Sequence, residues 1–110
     1  MFIKVLGGIM HTKELVRIFK ALSNENRLQL YFQIVKSTEK SFDTNCECFI
    51  NDVISKLNIG APTISHHLKE LSNANLIFTE KKGKFLVAKA NEELLNEVCS
   101  ILTIKRDENK

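Results

Sequence analysis

Proline occurs once in the 110 residues and glycine four times, which leaves little room for a loop-rich or all-β fold. No apolar run approaches the roughly 18 residues that would span a membrane. Cysteine is scarce and odd in number, at Cys46, Cys48 and Cys99. Such a set in a short chain does not make a secreted disulfide framework, so a reduced, cytoplasmic setting is expected. A secretory leader is not expected either. Met1 to Met10 is apolar with a single lysine, and Lys13 and Glu14 interrupt it before any cleavage site. Met10 offers a second start, with the preceding residues a loose extension. No glycine-rich phosphate loop occurs, and nothing at a recognisable spacing would orient a Cys–His pair, so an enzyme is not expected. The charge is not strongly of one sign. Sixteen basic residues against thirteen acidic ones give +3, which permits a nucleic-acid partner without requiring it.

What is present is ordinary globular composition, 44% hydrophobic and 26% charged, in a length that suits one domain. A lone domain of this size buries only about two-thirds of its unfolded surface, so a core shared in a dimer would help it. Helical spacing of Leu15, Ile18, Phe19 and Leu22 predicts a helix over about 11–22. Ser23 to Asn26 breaks it and offers a cap, and Leu28, Tyr31, Phe32 and Val35 mark a second helix. The polar tract 37–45 reads as a loop, and 46–50 as a short strand. Asn51 is placed as the cap of a short helix carrying Val53, Ile54 and Leu57. After the turn at 58–60, Pro62 suits the first turn of a helix reaching about Ser72. Strand-like runs at 76–79 and 85–88 flank a basic hairpin loop, 80–84, with glycine at Gly83. A last helix runs from Asn91 through Leu102. The predicted architecture is mainly α with a small β-hairpin wing, a winged helix-turn-helix over 11–104. Residues 1–10 are expected to be a flexible N-terminal tail and 105–110 a charged one.

The helix over 61–72 carries Ile64, Leu68 and Leu71 on one face. The other shows Thr63, Ser65, His66, His67 and Lys69, groups that hydrogen-bond base edges or phosphates in a major groove. Adjacent histidines on a helix diverge, so the His66–His67 pair is a poor chelate, and one of the two can be packed or bonded to backbone. Lys81, Lys82 and Lys84 cluster in the hairpin that follows. Helix and wing together point to double-stranded DNA. A winged-helix module that binds protein would want an exposed apolar or acidic patch on this helix, where Glu70 is the lone acid.

Two stretches resemble the ArsR/SmtB family of repressors. Residues 19–28, containing Ala21-Leu22-Ser23 and Arg27-Leu28, are similar to its N-terminal signature. Residues 59–76, with Pro62-Thr63-Ile64-Ser65-His66-His67-Leu68, resemble its recognition segment. The resemblance covers about 11–103 and implies a homodimer built from the first and last helices. It also implies an operator with an inverted repeat, and release of DNA when an effector binds. The family's thiol motif aligns with 49–53, so Cys46 and Cys48 fall three residues early. Its other metal site needs histidines on the last helix, and none follows His67.

In a strand, residues 46 and 48 point to one face. Two thiolates there suit a soft ion such as arsenite, cadmium, lead, zinc or copper(I). Cys99 or His11 is the candidate third ligand, from the same or the other subunit. A redox or reactive-sulfur switch through the same thiols, and a role as small buried residues, stay open beside metal sensing.

Overall fold

The computed structural model describes residues 1–5, 8–44, 50–57 and 59–103. It opens on a hairpin where a flexible tail was expected. Strand β1 (Phe2–Val5) pairs antiparallel with β2 (Gly8–His11). Ile3 stands opposite Met10, and Met10 is only 2% exposed. The hairpin is held because its inner side chains join the core, and β1 packs against the last helix. The amide and hydroxyl of Thr12 both donate to the Met1 carbonyl, at 2.9 and 3.0 Å.

Helix α1 (Thr12–Leu22) is capped by His11, whose Nδ1 accepts from the Lys13 amide at 3.0 Å. Leu15, Ile18 and Ala21 are its buried stripe. Asn24 starts α2 (Glu25–Thr44) by accepting the Arg27 amide on its side-chain oxygen at 2.9 Å. The polar tract read as a loop from 37 is therefore helical through Thr44. Thr38 explains part of this. Its hydroxyl donates back to the Ile34 carbonyl at 2.8 Å and accepts the Ala90 amide at 2.9 Å, so a polar side chain is satisfied inside the core. With Leu30, Tyr31 and Ile34 it continues the buried face.

The expected strand 46–50 falls on residues 46–49, outside the described ones, while Ile50 is helical. Helix α3 (Ile50–Lys56) already contains the expected cap Asn51 and buries Ile50 and Val53. Helix α4 (Ala61–Asn73) starts at Gly60 with Pro62 in its first turn. It closes in a Schellman arrangement. The Leu76 amide donates to the Leu71 carbonyl and the Asn75 amide to that of Ser72, both at 3.0 Å, while Asn75 takes φ +61°.

Strands β3 (Ile77–Lys82) and β4 (Phe85–Ala90) form the second antiparallel hairpin. Lys82 pairs with Phe85, so the loop shrinks from the expected five residues to Gly83-Lys84. Gly83 at φ +62° supplies the backbone that a tight primed turn requires at its first central position. Ala88 and Ala90 of β4 turn inward onto α2 and α3, and Ile77 is buried where β3 meets α4. Helix α5 (Glu92–Leu102) starts where the Asn91 side chain accepts the Leu94 amide at 3.2 Å. The expected tail 105–110 lies outside the described residues. No described helix is long and apolar enough to cross a membrane.

Candidate nucleic-acid interface

Helix α4 sits on α2 through Ile64, Leu68 and Leu71, all buried. At 3.6 residues per turn the opposite face carries Pro62, Ser65, His66, Lys69 and Asn73, all exposed. Thr63 is exposed at the edge of that face. Of the expected DNA-reading residues on this helix, Thr63, Ser65, His66 and Lys69 are open to solvent.

His67 is not, and this corrects its assignment to the DNA face. One residue beyond His66 the helix has turned about 100°, which carries the ring to the side of Ile64 and Leu71. His67 is 5% exposed, and neither ring nitrogen has a hydrogen-bond partner among the described residues. Burial pushes its pKa below the usual histidine value, and the Arg27 guanidinium and then His66 add to the shift. Arg27 also reaches Glu70 at 3.9 Å, so the lone acid of α4 is partly neutralised by α2.

The wing lysines are all exposed. Lys81 and Lys82 lie in β3 and point to opposite faces, Lys82 beside Phe85 and Lys81 beside Leu86. Lys84 occupies the turn, its ammonium 5.8 Å from the centre of the Phe85 ring. The tip therefore presents positive charge in several directions, as suits phosphate attraction more than readout of a single base.

Sequence reasoning missed a groove of about 570 Å³ between α1 and the C-terminal half of α4. Lys13, Arg17 and Lys20 line one wall, Glu70, Asn73 and Ala74 the other. The signal in the sequence was the spacing of the three cations, four and then three residues apart.

Of the candidate metal ligands, Cys46 and Cys48 lie outside the described residues. Cys99 is a free, exposed thiol on α5, where its apolar surroundings in the sequence favoured a core position. It faces Tyr31 of α2 closely enough that, after burial, it is the second cause raising the phenol's pKa. His11 uses Nδ1 as the cap of α1, which leaves only its other nitrogen for a ligand. Among the described residues no group of three His, Cys, Asp or Glu side chains could hold a metal ion.

Known proteins share this arrangement. A family model described as bacterial regulatory protein, arsR family, matches residues 45–78. The chain is 33% identical to the uncharacterized HTH-type transcriptional regulator YbzH of Bacillus subtilis, over 81% of its own length and 95% of the relative's. It is 30% identical to the arsenical resistance operon repressor of Staphylococcus aureus, over 92% and 88% of the two chains. In fold it is similar to an ArsR-like transcriptional regulator from Rhodococcus sp. RHA1, with TM-score 0.65 and 22% identity over 80% of this chain and 74% of that one. It is also similar to HlyU from Vibrio cholerae, with TM-score 0.59 and 24% identity over 76% and 89% of the two chains. The chain belongs to the ArsR/SmtB family of winged helix-turn-helix transcriptional repressors.

Proposed function

We propose that this repressor binds an inverted-repeat DNA operator as a homodimer and releases it when a soft ion engages its cysteines. The observation that carries the DNA part is the exposed row Ser65, His66 and Lys69 on α4, flanked by Thr63 and followed directly by the lysine-bearing wing. Hydroxyls, an imidazole and an amine at a helix surface are the donors and acceptors that base edges accept in a major groove. Support for a dimer through α1 and α5 comes from apolar side chains left in water. Val16 and Phe19 on α1 and Leu102 on α5 are each more than 40% exposed. A second copy would cover them.

For the effector, three thiols form a soft donor set that suits arsenite, cadmium, lead, zinc or copper(I) better than hard cations. Cys46 and Cys48 would supply two sulfurs and Cys99 the third. Three relatives are arsenical resistance operon repressors, which favours a metalloid ion. The competing reading is a thiol redox or reactive-sulfur sensor, favoured by the exposure of Cys99.

Dimeric readers of this type engage half-sites about one helical turn apart, roughly 34–36 Å. Sedimentation with a labelled inverted-repeat duplex should show two chains per site. A protein that stays monomeric and ignores the duplex at low salt ends this reading.

A further inference from the structure

The groove between α1 and α4 has a use beyond the helix-turn-helix and wing. Lys13, Arg17 and Lys20 fall within roughly 60° of arc on α1, because four- and three-residue steps return to one side of a helix. All three are exposed, and none pairs with a carboxylate among the described residues. The facing wall brings one acid, Glu70, and Arg27 already stands 3.9 Å from it. Glu14, the acid of α1, lies on another side, in a hollow that Arg17 alone of the three cations also borders. A net cationic strip therefore remains.

Its position matters as much as its charge. Asn73 lines the groove and is also the last exposed residue of the α4 row that includes His66 and Lys69. The strip thus begins where the DNA-facing row ends. Around the circumference of α1, Val16 marks a border, since it also lines the groove. Leu15, Ile18 and Ala21 are buried, Val16 and Phe19 form an exposed apolar flank, and the cations occupy the remaining side. A partner covering the apolar flank would come up to Lys20, while Lys13 and Arg17 lie farther round the helix from Val16. From Lys13 to Lys20 it is roughly 10 Å long. Phosphates of one strand recur about every 3.4 Å along the duplex axis, so about three fall within its reach.

We propose that Lys13, Arg17 and Lys20 bind the operator backbone beside the major groove that α4 enters. The inference rests on the DNA-binding reading above. It adds a third phosphate-contacting element to α4 and the wing.

The test is the salt dependence of operator affinity for four full-length proteins. These are the wild type, the wing variant Lys81→Ala/Lys82→Ala/Lys84→Ala, the strip variant Lys13→Ala/Arg17→Ala/Lys20→Ala, and a charge-retaining strip variant, Lys13→Arg/Arg17→Lys/Lys20→Arg. Each lost phosphate contact lowers the slope of log affinity against log salt by about 0.9. The alanine strip variant should lose up to about 2.7 of slope. The charge-retaining variant should keep the wild-type value, and preference for the operator over scrambled DNA should be unchanged in both. An unchanged slope in the alanine strip variant, beside a reduced one in the wing variant, overturns the proposal and leaves the roles of α4 and the wing standing. An equal loss in both strip variants also overturns it, since charge would not be the cause. So does an unchanged slope combined with loss of benzoate binding by the DNA-free protein, which would make the groove a site for a small organic anion. A wild type that binds no DNA removes this proposal together with the reading beneath it.

Discussion

His67 shows how one helical step separates two chemically identical residues. His66 is exposed, while His67 lies beneath it with no partner for its ring nitrogens among the described residues and a cation, Arg27, as neighbour. Both effects favour the neutral ring. Its folded pKa lies below the ordinary value of about 6.5, so beneath that pH the unfolded chain binds a proton that the folded chain refuses. Stability must then fall as pH drops through about 6.5 toward the folded pKa, and this contribution is flat above it. Replacing His67 by leucine removes the proton difference. The melting temperature of His67→Leu should change less than that of wild type between about pH 7 and about pH 5. If the two profiles run parallel, His67 does not titrate in that window. The sequence already held the geometry, because residue 67 shares a side with Ile64 and Leu71. Residue type alone hid it, since either histidine would suit DNA. Cys99 hid the opposite way: an apolar stretch suggested burial, yet its thiol is open to water.

Among the elements, those with strong local signals were legible. Helices α1, α4 and α5 follow their apolar spacing and caps, and the glycine of the wing sits at the positive φ its turn demands. Two elements were not. The C-terminal half of α2 has few apolar residues, and its helical state depends on Thr38 meeting Ala90, a contact fifty-two residues away in sequence. The N-terminal hairpin has strands of four residues each, too short for alternation to stand out, and its burial depends on α5. Gly7-Gly8 between two apolar runs was its one sequence signal. Wing and recognition helix should separate by experiment. Lys81, Lys82 and Lys84 point in different directions from one tip, so their removal should weaken binding to all duplexes alike. Ser65→Ala or His66→Ala should instead narrow the gap between operator and scrambled DNA, by about 1–3 kcal/mol where a base contact is lost. Competition binding with both duplexes measures this. A wing variant that loses operator preference while keeping its salt slope would reverse the two roles.

At the scale of the whole molecule, α2 joins the regions a sensor must connect. Its Arg27 meets Glu70 and His67 of the recognition helix, its Tyr31 lies near Cys99 of α5, and Cys46 and Cys48 follow its last described turn in the chain. A ligand that tied Cys46 and Cys48 to Cys99 would fix the end of α2 to a helix proposed to form the dimer. Moving the two recognition helices relative to each other then suffices to spoil their match to adjacent half-sites. Such coupling is a difference in ligand affinity between the DNA-bound and released states, typically about 1–3 kcal/mol, or roughly 5–150-fold. The double variant Cys46→Ser/Cys48→Ser should therefore bind operator as tightly as wild type, since neither residue belongs to α4 or the wing. It should no longer release DNA when arsenite, cadmium or an oxidant is added. Operator affinity of both proteins, with and without each agent, decides among the readings. Release of the double variant by metal places the sensing site elsewhere. Release of wild type by oxidant or polysulfide alone makes the thiols a redox switch. Release by arsenite that is lost in the double variant and also in Cys99→Ser identifies all three sulfurs as ligands, because a soft pyramidal ion held by two of them would bind more weakly and shift the DNA equilibrium less.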